Sequence, residues 1–461
     1  MFIDEDTISA IATPIGQAGI GIIRISGPLS AKIARKIFEP KRPIQDLKSH
    51  RLYFGYLRDP SSGSIIDEIL LSFMKAPNSY TREDVVEINS HSGYLLLSKI
   101  LRIVLDHGAR LARPGEFTLR AFLNGRIDLT QAEAVIDIIN SKSDRGLELG
   151  FQQIQGAFRG KIEELRQKVI DILAHAEVAI DFPEDEVQIM SRDKTAIQIQ
   201  DEVIRPIQTL IDAHAGKKIW VDGISTVIVG RVNAGKSSLL NLLLNEQRAI
   251  VTPVPGTTRD IIESPVTIEG LPLRLMDTAG FREAKDEVEE IGIHLTRKRL
   301  KDADFLLVVI DQSHPLNQDD LKIIDQARQK KTLIVINKMD LPSAIDQDDR
   351  QNVFTGFPVV EISALTGQGL DNLRKAVADC LLKGDIDIMS SHVAPNLRHK
   401  QALTHAHEFF NSACKNTKED HPMEIVALEL KSGLDALGSI TGETTSDEVL
   451  DSIFSRFCLG K

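Results

Sequence analysis

The chain has 461 residues, of which 42% are hydrophobic and 26% are charged, a composition typical of a globular protein with about three domains. The formal net charge of −11 excludes a surface that binds nucleic acid over most of its extent, so any RNA contact needs a local basic patch. Residues 41–58 are the best candidate, although their composition favours a solvated basic face. The three well-separated cysteines argue against a disulfide framework and a zinc site. The acidic start argues against a signal peptide, and no apolar run approaches the ~18 residues of a membrane-spanning helix. Together these features predict a cytoplasmic protein.

Residues 1–120 mix two kinds of pattern. A helix-like stretch, YLLLSKILRIVL, covers residues 94–105, and it follows several short runs that are rich in β-forming residues. Those runs are ISAIATPI, GIGIIRISGP, DEILLSFM and DVVEINSHSG. The mixture predicts an α+β domain over residues 1–120.

The remaining chain divides by its hydrophobic period. Over residues 121–216 and again over 384–461, apolar residues recur every three or four positions, which predicts helices. Over residues 217–383, short and nearly continuous apolar runs alternate with helical segments, a pattern typical of a sheet buried on both faces. We therefore predict a discontinuous all-α helical domain in two parts, with an α/β domain inserted between them.

The stretch GRVNAGKSS, residues 230–238, matches the P-loop pattern G-x-x-x-x-G-K-[ST] between a predicted strand and a predicted helix. Its glycines let backbone N–H groups surround phosphate oxygens, and the helix N-terminus adds positive potential. We expect Lys236 to reach the β- and γ-phosphates and Ser237 to bind Mg²⁺. The other residues of the loop that we assign to the nucleotide are Asn233, Ala234, Gly235 and Ser238.

Three further motifs follow predicted strands. In DTAG, residues 277–280, the first residue supplies a carboxylate near Mg²⁺ and the glycine can approach the γ-phosphate. In NKMD, residues 337–340, the final aspartate can accept two hydrogen bonds from guanine that adenine cannot offer, and SAL, residues 363–365, would close over the base. The combination predicts GTP rather than ATP as the ligand. The residues assigned to GTP in these motifs are Asp277, Thr278, Ala279, Gly280, Asn337, Lys338, Asp340, Ser363, Ala364 and Leu365.

Residues 249–263 lie where a switch loop belongs, between the P-loop helix and DTAG. Thr258 can supply a second hydroxyl to Mg²⁺. The amide of Asn233 could bind an additional cation beside this loop, or it could make a hydrogen bond within the P-loop, and one residue does not decide between them. The switch-loop residues assigned to the nucleotide are Thr252, Pro253, Val254, Pro255, Gly256, Thr257 and Thr258.

Phe281 follows DTAG at a position where many GTPases carry a glutamine that orients the attacking water. An apolar side chain cannot orient water, so another group has to do so. Glu287, Glu289 and Glu290 lie a few residues further on. Each of them taken alone is more simply an exposed acid of a charged run.

The chain ends in FCLGK, residues 457–461. Thr445 and Glu448 predict a capping box that begins a last helix with one apolar face. That face consists of Leu450, Ile453, Phe454 and Phe457. Two interpretations of Cys458 stay open: burial as a small hydrophobic residue, which the pattern alone favours, and a nucleophilic thiol beside the Lys461 ammonium.

The chain resembles the MnmE (TrmE) family of tRNA modification GTPases over essentially its whole length. The resemblance rests on the P-loop, GTTRD, DTAGFREAKDEVEEIG, NKMD, the stretch RPGEFTLRAFLNGRIDLTQAEAV and the terminal FCLGK. The resemblance implies a homodimer formed through an N-terminal domain similar to folate-binding domains, and a Ras-like P-loop GTPase domain. Val232 and Leu459 depart from residues common in the family, a proline and an isoleucine, but both stay apolar.

The resemblance also implies further ligands and roles. A 5-formyl- or 5,10-methylene-tetrahydrofolate would bind at Arg24, Glu87, Arg126 and Lys461. K⁺ would bind at Asn233, Thr252, Val254 and Thr257, in place of an arginine finger. Glu289 would be the catalytic residue that orients water, and Cys458 would take part in the modification chemistry.

The implied activity is that of a K⁺-stimulated GTPase. With a flavoprotein partner, MnmG, which carries FAD, it would add an aminomethyl or carboxymethylaminomethyl group to carbon 5 of the wobble uridine of certain tRNAs. Two alternatives stay open: a regulatory GTPase switch that gates an RNA or ribosome-assembly partner, and transfer of one-carbon units by the N-terminal domain without RNA.

Overall fold

The computed structural model describes residues 6–14, 16, 18–181, 191–245, 263–276, 303–382, 393 and 395–461. The chain forms two compact units. The first unit comprises Met1–Ile136, Gln153–Ile207 and Gln401–Lys461, and the second comprises Asp137–Gln152 and Gln208–Lys400. The four domain limits predicted above stay predictions. No helix in the described ranges is both long enough and apolar enough to cross a bilayer.

The strands lie in two sheets, one in each unit, among the residues just given. They are β1 Ile8–Ile11, β2 Gly21–Ser26, β3 Phe38–Pro40, β4 Arg51–Arg58, β5 Ile65–Met74, β6 Val85–Ser90, β7 Arg110–Leu111, β8 Ile224–Val229, β9 Glu263–Ile268, β10 Leu271–Met276, β11 Phe305–Asp311, β12 Lys331–Asn337 and β13 Val359–Glu361.

Helices make up most of the remaining regular structure. They are α1 Ser30–Ile37, α2 Tyr94–Asp106, α3 Glu116–Leu123, α4 Leu129–Asn140, α5 Asp144–Ile154, α6 Ala157–Asp181, α7 Arg192–Gln198, α8 Arg205–Lys217, α9 Lys236–Asn245, α10 Gln318–Ala327, α11 Gln347–Val353, α12 Leu370–Leu382, α13 Leu397–Lys418, α14 Met423–Thr441 and α15 Asp447–Phe454. Two π-helical turns, Ile199–Ile204 and Lys218–Asp222, flank α8.

The sheet of the first unit has the strand order β3-β4-β5-β6-β2-β1-β7. Neighbouring strands of this sheet are antiparallel, except that β1 and β7 are parallel. In β5, Ile69, Leu71 and Phe73 are buried and alternate with more exposed residues, because one face of the sheet packs against α1 and α2. Arg24 and Glu87 pair across β2 and β6. Both point to the opposite face, away from those helices.

Helices complete the first unit. In α6, apolar residues spaced by three and four positions, from Ile162 to Ala176, form one buried face that packs against α14. The last helix, α15, packs against α3, and the four apolar residues predicted for its face are buried, although Phe457 lies beyond the end of the helix. The predicted capping box is wrong: Ser446 precedes the helix, and Thr445 donates to the carbonyl of Ser439 at 3.0 Å.

The sheet of the second unit has the order β13-β12-β11-β8-β10-β9 and is parallel except for β9. Strands β8 and β11 are buried along their whole length. Core residues pack on both faces of the sheet, as the continuous apolar runs predict. The multidomain fold, with an α+β part, a helical part and an α/β P-loop part, is therefore confirmed. Parallel order brings the carboxyl ends of β8, β11 and β12 to one edge, where ligands bind in such sheets.

Candidate functional site

The P-loop joins β8 to α9 at that edge. Asn233 and Gly235 have left-handed backbones, with φ of 64° and 96°. A Cβ at Gly235 would lie 2.1 Å from Nδ2 of Asn337. Only glycine therefore fits this position, since both the φ angle and the close approach exclude a side chain.

Lys236 begins α9 and its ammonium lies within the loop. Nζ donates to the carbonyl oxygens of Gly230 at 2.8 Å and Arg231 at 2.7 Å. Ser237 is exposed in the first turn of α9, where helix N–H groups and the helix dipole favour a bound phosphate. A lysine and a helix N-terminus thus lie together, as phosphate binding requires.

The side chain of Asn233 is exposed, and no residue in the described ranges makes a hydrogen bond with it. Of the two interpretations left open above, a hydrogen bond within the P-loop is therefore not observed.

Asn337 ties three loops together from the end of β12. Its Nδ2 donates to the carbonyl of Ala234 at 2.9 Å, and its Oδ1 accepts from the N–H of Ala364 at 2.9 Å. Oγ of Ser363 donates to Oδ1 of Asp340 at 2.5 Å. The structure therefore brings together the P-loop, NKMD and SAL, and the serine orients the carboxylate that we assign to guanine.

Leu365 is 85% exposed at the same edge. Its predicted place over the base stays a prediction.

The other predicted residues of the nucleotide site lie outside the described residues. These are residues 252–258, residues 277–280, Phe281, Glu287, Glu289 and Glu290. Their roles stay predictions.

Asp311, which the sequence did not assign to the site, lies between a residue of the P-loop and a residue of NKMD. It ends β11, is 3% exposed, and its Oδ2 lies 2.7 Å from Nζ of Lys338 and 3.5 Å from a guanidinium nitrogen of Arg231. Burial raises the pKa of Asp311, but hydrogen bonds from Lys338 and Ser313 outweigh it and lower the pKa to about 2. The sequence did contain a signal for Asp311: it is an acidic residue at the carboxyl end of an apolar strand, which is also where the other nucleotide motifs lie.

In the first unit, Arg24 and Glu87 form a half-buried ion pair on the sheet face opposite α1 and α2. Nε and NH2 of Arg24 both lie 2.8 Å from Oε1 of Glu87. The guanidinium of Arg24 also lies 5.5 Å from the ring centroid of Tyr80, and its NH1 donates to the carbonyl of Gly460 at 3.3 Å. This second contact brings the C-terminal tail to the pair.

Arg126 joins the same group through Tyr80. Its guanidinium lies 4.7 Å from the centroid of the Tyr80 ring, and NH1 donates to the Tyr80 carbonyl at 3.2 Å. Arg126 and Tyr80 line a shallow, open depression of about 470 Å³ together with His50 and Arg82. Tyr80 therefore contacts both predicted arginines, although no motif or period of the sequence marked it.

The tail lies against β1. Gly460 has a φ of 90°, and a Cβ there would lie 2.5 Å from the carbonyl oxygen of Ile11, so glycine alone fits. Lys461 follows it, and its N–H donates to the carbonyl of Cys458 at 3.3 Å. The four predicted positions Arg24, Glu87, Arg126 and Lys461 thus belong to one region of the first unit.

Cys458 is exposed, so the interpretation of a buried small hydrophobic residue is wrong. Helix α15 ends at Phe454 and the chain then turns. Helical spacing no longer places Cys458 beside the apolar face, and Phe457 is buried instead.

Known proteins and family models match this chain over essentially its whole length. Residues 129–458 match the family model described as MnmE helical domain, and residues 7–126 match GTP-binding protein TrmE N-terminus. The chain is 44% identical to "tRNA modification GTPase MnmE" of Alkaliphilus oremlandii, with 100% of both chains covered. It is 43% identical to the protein of that name from Thermoanaerobacter pseudethanolicus, with 99% of each chain covered, and 44% identical to that from Clostridioides difficile, with 100% of each covered.

Proposed function

Since the chain belongs to the MnmE family of tRNA modification GTPases, we propose that it is a K⁺-stimulated GTPase that modifies carbon 5 of the wobble uridine of certain tRNAs. A flavoprotein of the MnmG kind, carrying FAD, is its partner, and a tetrahydrofolate supplies the one-carbon unit. The protein acts as a homodimer. Membership of this family favours modification chemistry over the regulatory switch considered above.

The observation that carries the GTP site is the double hydrogen bond of Asn337, which joins the P-loop to SAL. It supports a pocket with a phosphate end at Lys236 and a base end at Asp340. The carboxylate of Asp340, oriented by Ser363, accepts from the two donors of guanine. Adenine lacks both donors, so this arrangement discriminates against ATP.

The residues of this chain have separate tasks in hydrolysis. Ser237 and Thr258 hold Mg²⁺, which when bound neutralises phosphate charge. The exposed amide of Asn233 fits a cation ligand, and the others for K⁺ are Thr252, Val254 and Thr257. K⁺ when bound supplies the positive charge that an arginine finger supplies elsewhere. Glu289 orients the attacking water, because Phe281 cannot.

The grouping of Arg24, Glu87 and Arg126 around Tyr80 supports the folate site. Guanidinium groups and the Lys461 ammonium suit the carboxylates of the glutamate moiety of folate. Both contacts of Glu87 with Arg24 use Oε1, so Oε2 keeps its capacity to accept from donors of a pterin ring. The exposed Cys458 lies three residues before Lys461 and takes part in the modification chemistry.

A comparison of GTP hydrolysis rates in K⁺ and in Na⁺ tests the proposed role of K⁺. We expect GTP hydrolysis by the full-length protein to be faster in KCl than in NaCl at equal ionic strength. Asn233→Ala should lose most of this difference, whereas Val232→Ala, the neighbouring residue that is 82% exposed, should keep it. A rate that does not depend on the cation overturns the K⁺ role.

Titration with 5-formyl-tetrahydrofolate tests the other site. Arg126→Gln should weaken binding by about tenfold, since it removes a charged hydrogen-bonding group from the ligand carboxylates. Arg102→Gln removes an exposed arginine from α2, on the helix-covered side of the sheet, and should bind as the wild type does. Equal affinity of all three proteins contradicts the assignment.

A further inference from the structure

Strand order places the end of β11 between the two loops of the proposed GTP site. β11 pairs with β8 on one side and with β12 on the other. The P-loop follows β8 and NKMD follows β12. The last residue of β11, Asp311, therefore lies between the loop assigned to phosphate and the loop assigned to guanine.

The carboxylate of Asp311 is held by its own strand end and contacts both loops. Oδ1 accepts from N and Oγ of Ser313 at 2.9 and 2.6 Å. Oδ2 lies 2.7 Å from Nζ of Lys338 in NKMD and 3.5 Å from NH2 of Arg231 in the P-loop. His314 Nδ1 is 3.4 Å from the same oxygen. One oxygen atom thus contacts side chains of both loops.

A second buried carboxylate reinforces the P-loop side. Arg231 NH1 lies 3.9 Å from Oδ2 of Asp320, which is 1% exposed. Asp320 is itself held at the start of α10, where it forms a capping box with Asn317. The guanidinium of Arg231 therefore lies between two carboxylates that the fold positions independently.

The backbone on the guanine side is held by the next residue of the chain. Gln312 donates from Nε2 to the carbonyl oxygens of Lys338 at 3.3 Å and Leu341 at 2.8 Å. Lys338 has a left-handed backbone with φ of 68°, a conformation that a lysine keeps only when its surroundings determine it. Asp311 and Gln312 thus hold the side chain and the backbone of the same residue.

We propose that Asp311 is a positioning residue for guanine nucleotide binding: through one oxygen it holds Lys338 and Arg231, and so keeps the guanine-binding and phosphate-binding loops at the separation that a nucleotide spans. The inference rests on the proposed GTP site. A buried carboxylate that pairs with two cations resists movement, because separating it from either cation leaves buried charge without its partner. Asp311 acts through the two cations and need not touch the nucleotide.

The test uses the full-length protein and GDP that carries a fluorescent N-methylanthraniloyl group. Asp311→Asn keeps the shape of the side chain and removes its charge. We expect the dissociation constant for GDP and the KM for GTP to rise by about tenfold, with kcat at saturating GTP changed by less than about twofold. Asp319→Asn is the control: it makes the same substitution at an exposed position in the first turn of α10 and should leave all three values unchanged.

A merely structural role predicts a different result. It would lower the melting temperature and the fraction of active protein, and therefore kcat, while the folded molecules kept their affinity. In addition, Asp311→Asn should weaken GDP binding much less when Lys338 is already methionine, because the ion pair it removes is then absent. Full additivity of the two substitutions overturns the proposal.

Two further outcomes are decisive. If Asp311→Asn does not fold, Ser313→Ala replaces it: this removes the hydroxyl bond to Oδ1, together with an exposed bond to Nδ1 of His314, and should raise the GDP dissociation constant by about two- to threefold. An unchanged constant for that folded variant contradicts the positioning role. If the wild-type protein itself fails to bind GDP, the proposed GTP site is wrong; if wild type binds and Asp311→Asn binds equally well, only the role of Asp311 is wrong.

Discussion

At the scale of single residues, the proposed nucleotide site depends on a contact between the backbone of Gly235 and the side chain of Asn337 that leaves no room for a side chain at position 235. The backbone of Gly235 passes Asn337 so closely that the amide can reach the carbonyl of Ala234 at 2.9 Å. The same amide fixes SAL through Ala364. The absence of a side chain at Gly235 therefore permits the contacts by which Asn337 joins the P-loop to SAL.

We predict that Gly235→Ala abolishes binding of the fluorescent GDP at concentrations that saturate the wild type. The added Cβ would meet Nδ2 of Asn337 at 2.1 Å at a φ of 96°, so the P-loop and Asn337 have to separate. Gly160→Ala is the matched control, because Gly160 lies in α6 and a Cβ there meets nothing within 4 Å. That variant should bind GDP normally, and equal binding by both variants would contradict the prediction.

A second prediction concerns Cys458. Because the thiol is exposed, Cys458→Ser should leave the free energy of unfolding unchanged. If the thiol takes part in the chemistry, tRNA modification is lost while GTP hydrolysis continues. Leu459→Ala, the exposed neighbour, should retain both activities, and normal modification by Cys458→Ser would rule out the role of the thiol.

At the scale of elements, α15 determines where the tail lies. Phe454 is buried, and its ring lies 6.4 Å from that of Phe122 and 5.5 Å from that of Phe457. A Cβ on Gly115 would lie 2.4 Å from the Phe454 carbonyl oxygen, so the chain before α3 passes directly against the end of this helix. The helix anchors FCLGK, and the tail then reaches β1 and Arg24.

The contribution of Phe454 to stability and to the position of the tail can be measured. We expect Phe454→Ala to reduce the free energy of unfolding by about 3 to 5 kcal/mol, since it leaves a cavity between aromatic rings. It should also weaken binding of 5-formyl-tetrahydrofolate, because the Gly460 carbonyl would no longer be held at Arg24. Val449→Ala, at a 37% exposed position of the same helix, should change the unfolding free energy by less than about 1 kcal/mol in urea titrations. Equal losses for the two variants would show that α15 is not held by its aromatic residues.

At the scale of the whole molecule, stability at low pH depends on a charge network in the first unit. Glu116 is buried at the start of α3 and pairs with Arg110 at 2.5 Å and with Arg120 at 3.2 Å. Burial raises the pKa of Glu116, but hydrogen bonds from Arg110 and the Arg113 N–H outweigh it, and the net result is a lowered pKa. A carboxylate whose pKa is lower in the folded state adds stability that is complete above its unfolded pKa and is lost as the pH falls through the folded value.

The wild type should therefore be more stable than Glu116→Gln above about pH 4.3, the ordinary pKa of a glutamate. The difference should narrow as the pH falls below that value, because the wild-type carboxylate becomes protonated. Urea unfolding from pH 7 to pH 3 measures this. Glu424→Gln, an exposed glutamate in the first turn of α14, should follow the wild type throughout, and a constant difference between Glu116→Gln and wild type would exclude the linkage.

Much of the fold could be predicted from local pattern. The runs that follow residue 217 became β8, β10, β11, β12 and β13, and YLLLSKILRIVL became α2. Such patterns work because hydrophobic period and continuous burial are properties of a few neighbouring residues. Where a local signal competes with packing it fails, as with the capping box at Thr445 and the burial of Cys458.

The sequence by itself determined the motifs of the nucleotide site and their order, because each motif lies within a few residues at the end of one strand. Only the tertiary structure decided which distant residues meet. Arg24 and Gly460 are 436 positions apart, and Asp311 reaches Arg231 and Lys338 only because β11 lies between β8 and β12. The order of strands follows from how the whole core packs, and no local window of the chain contains that information.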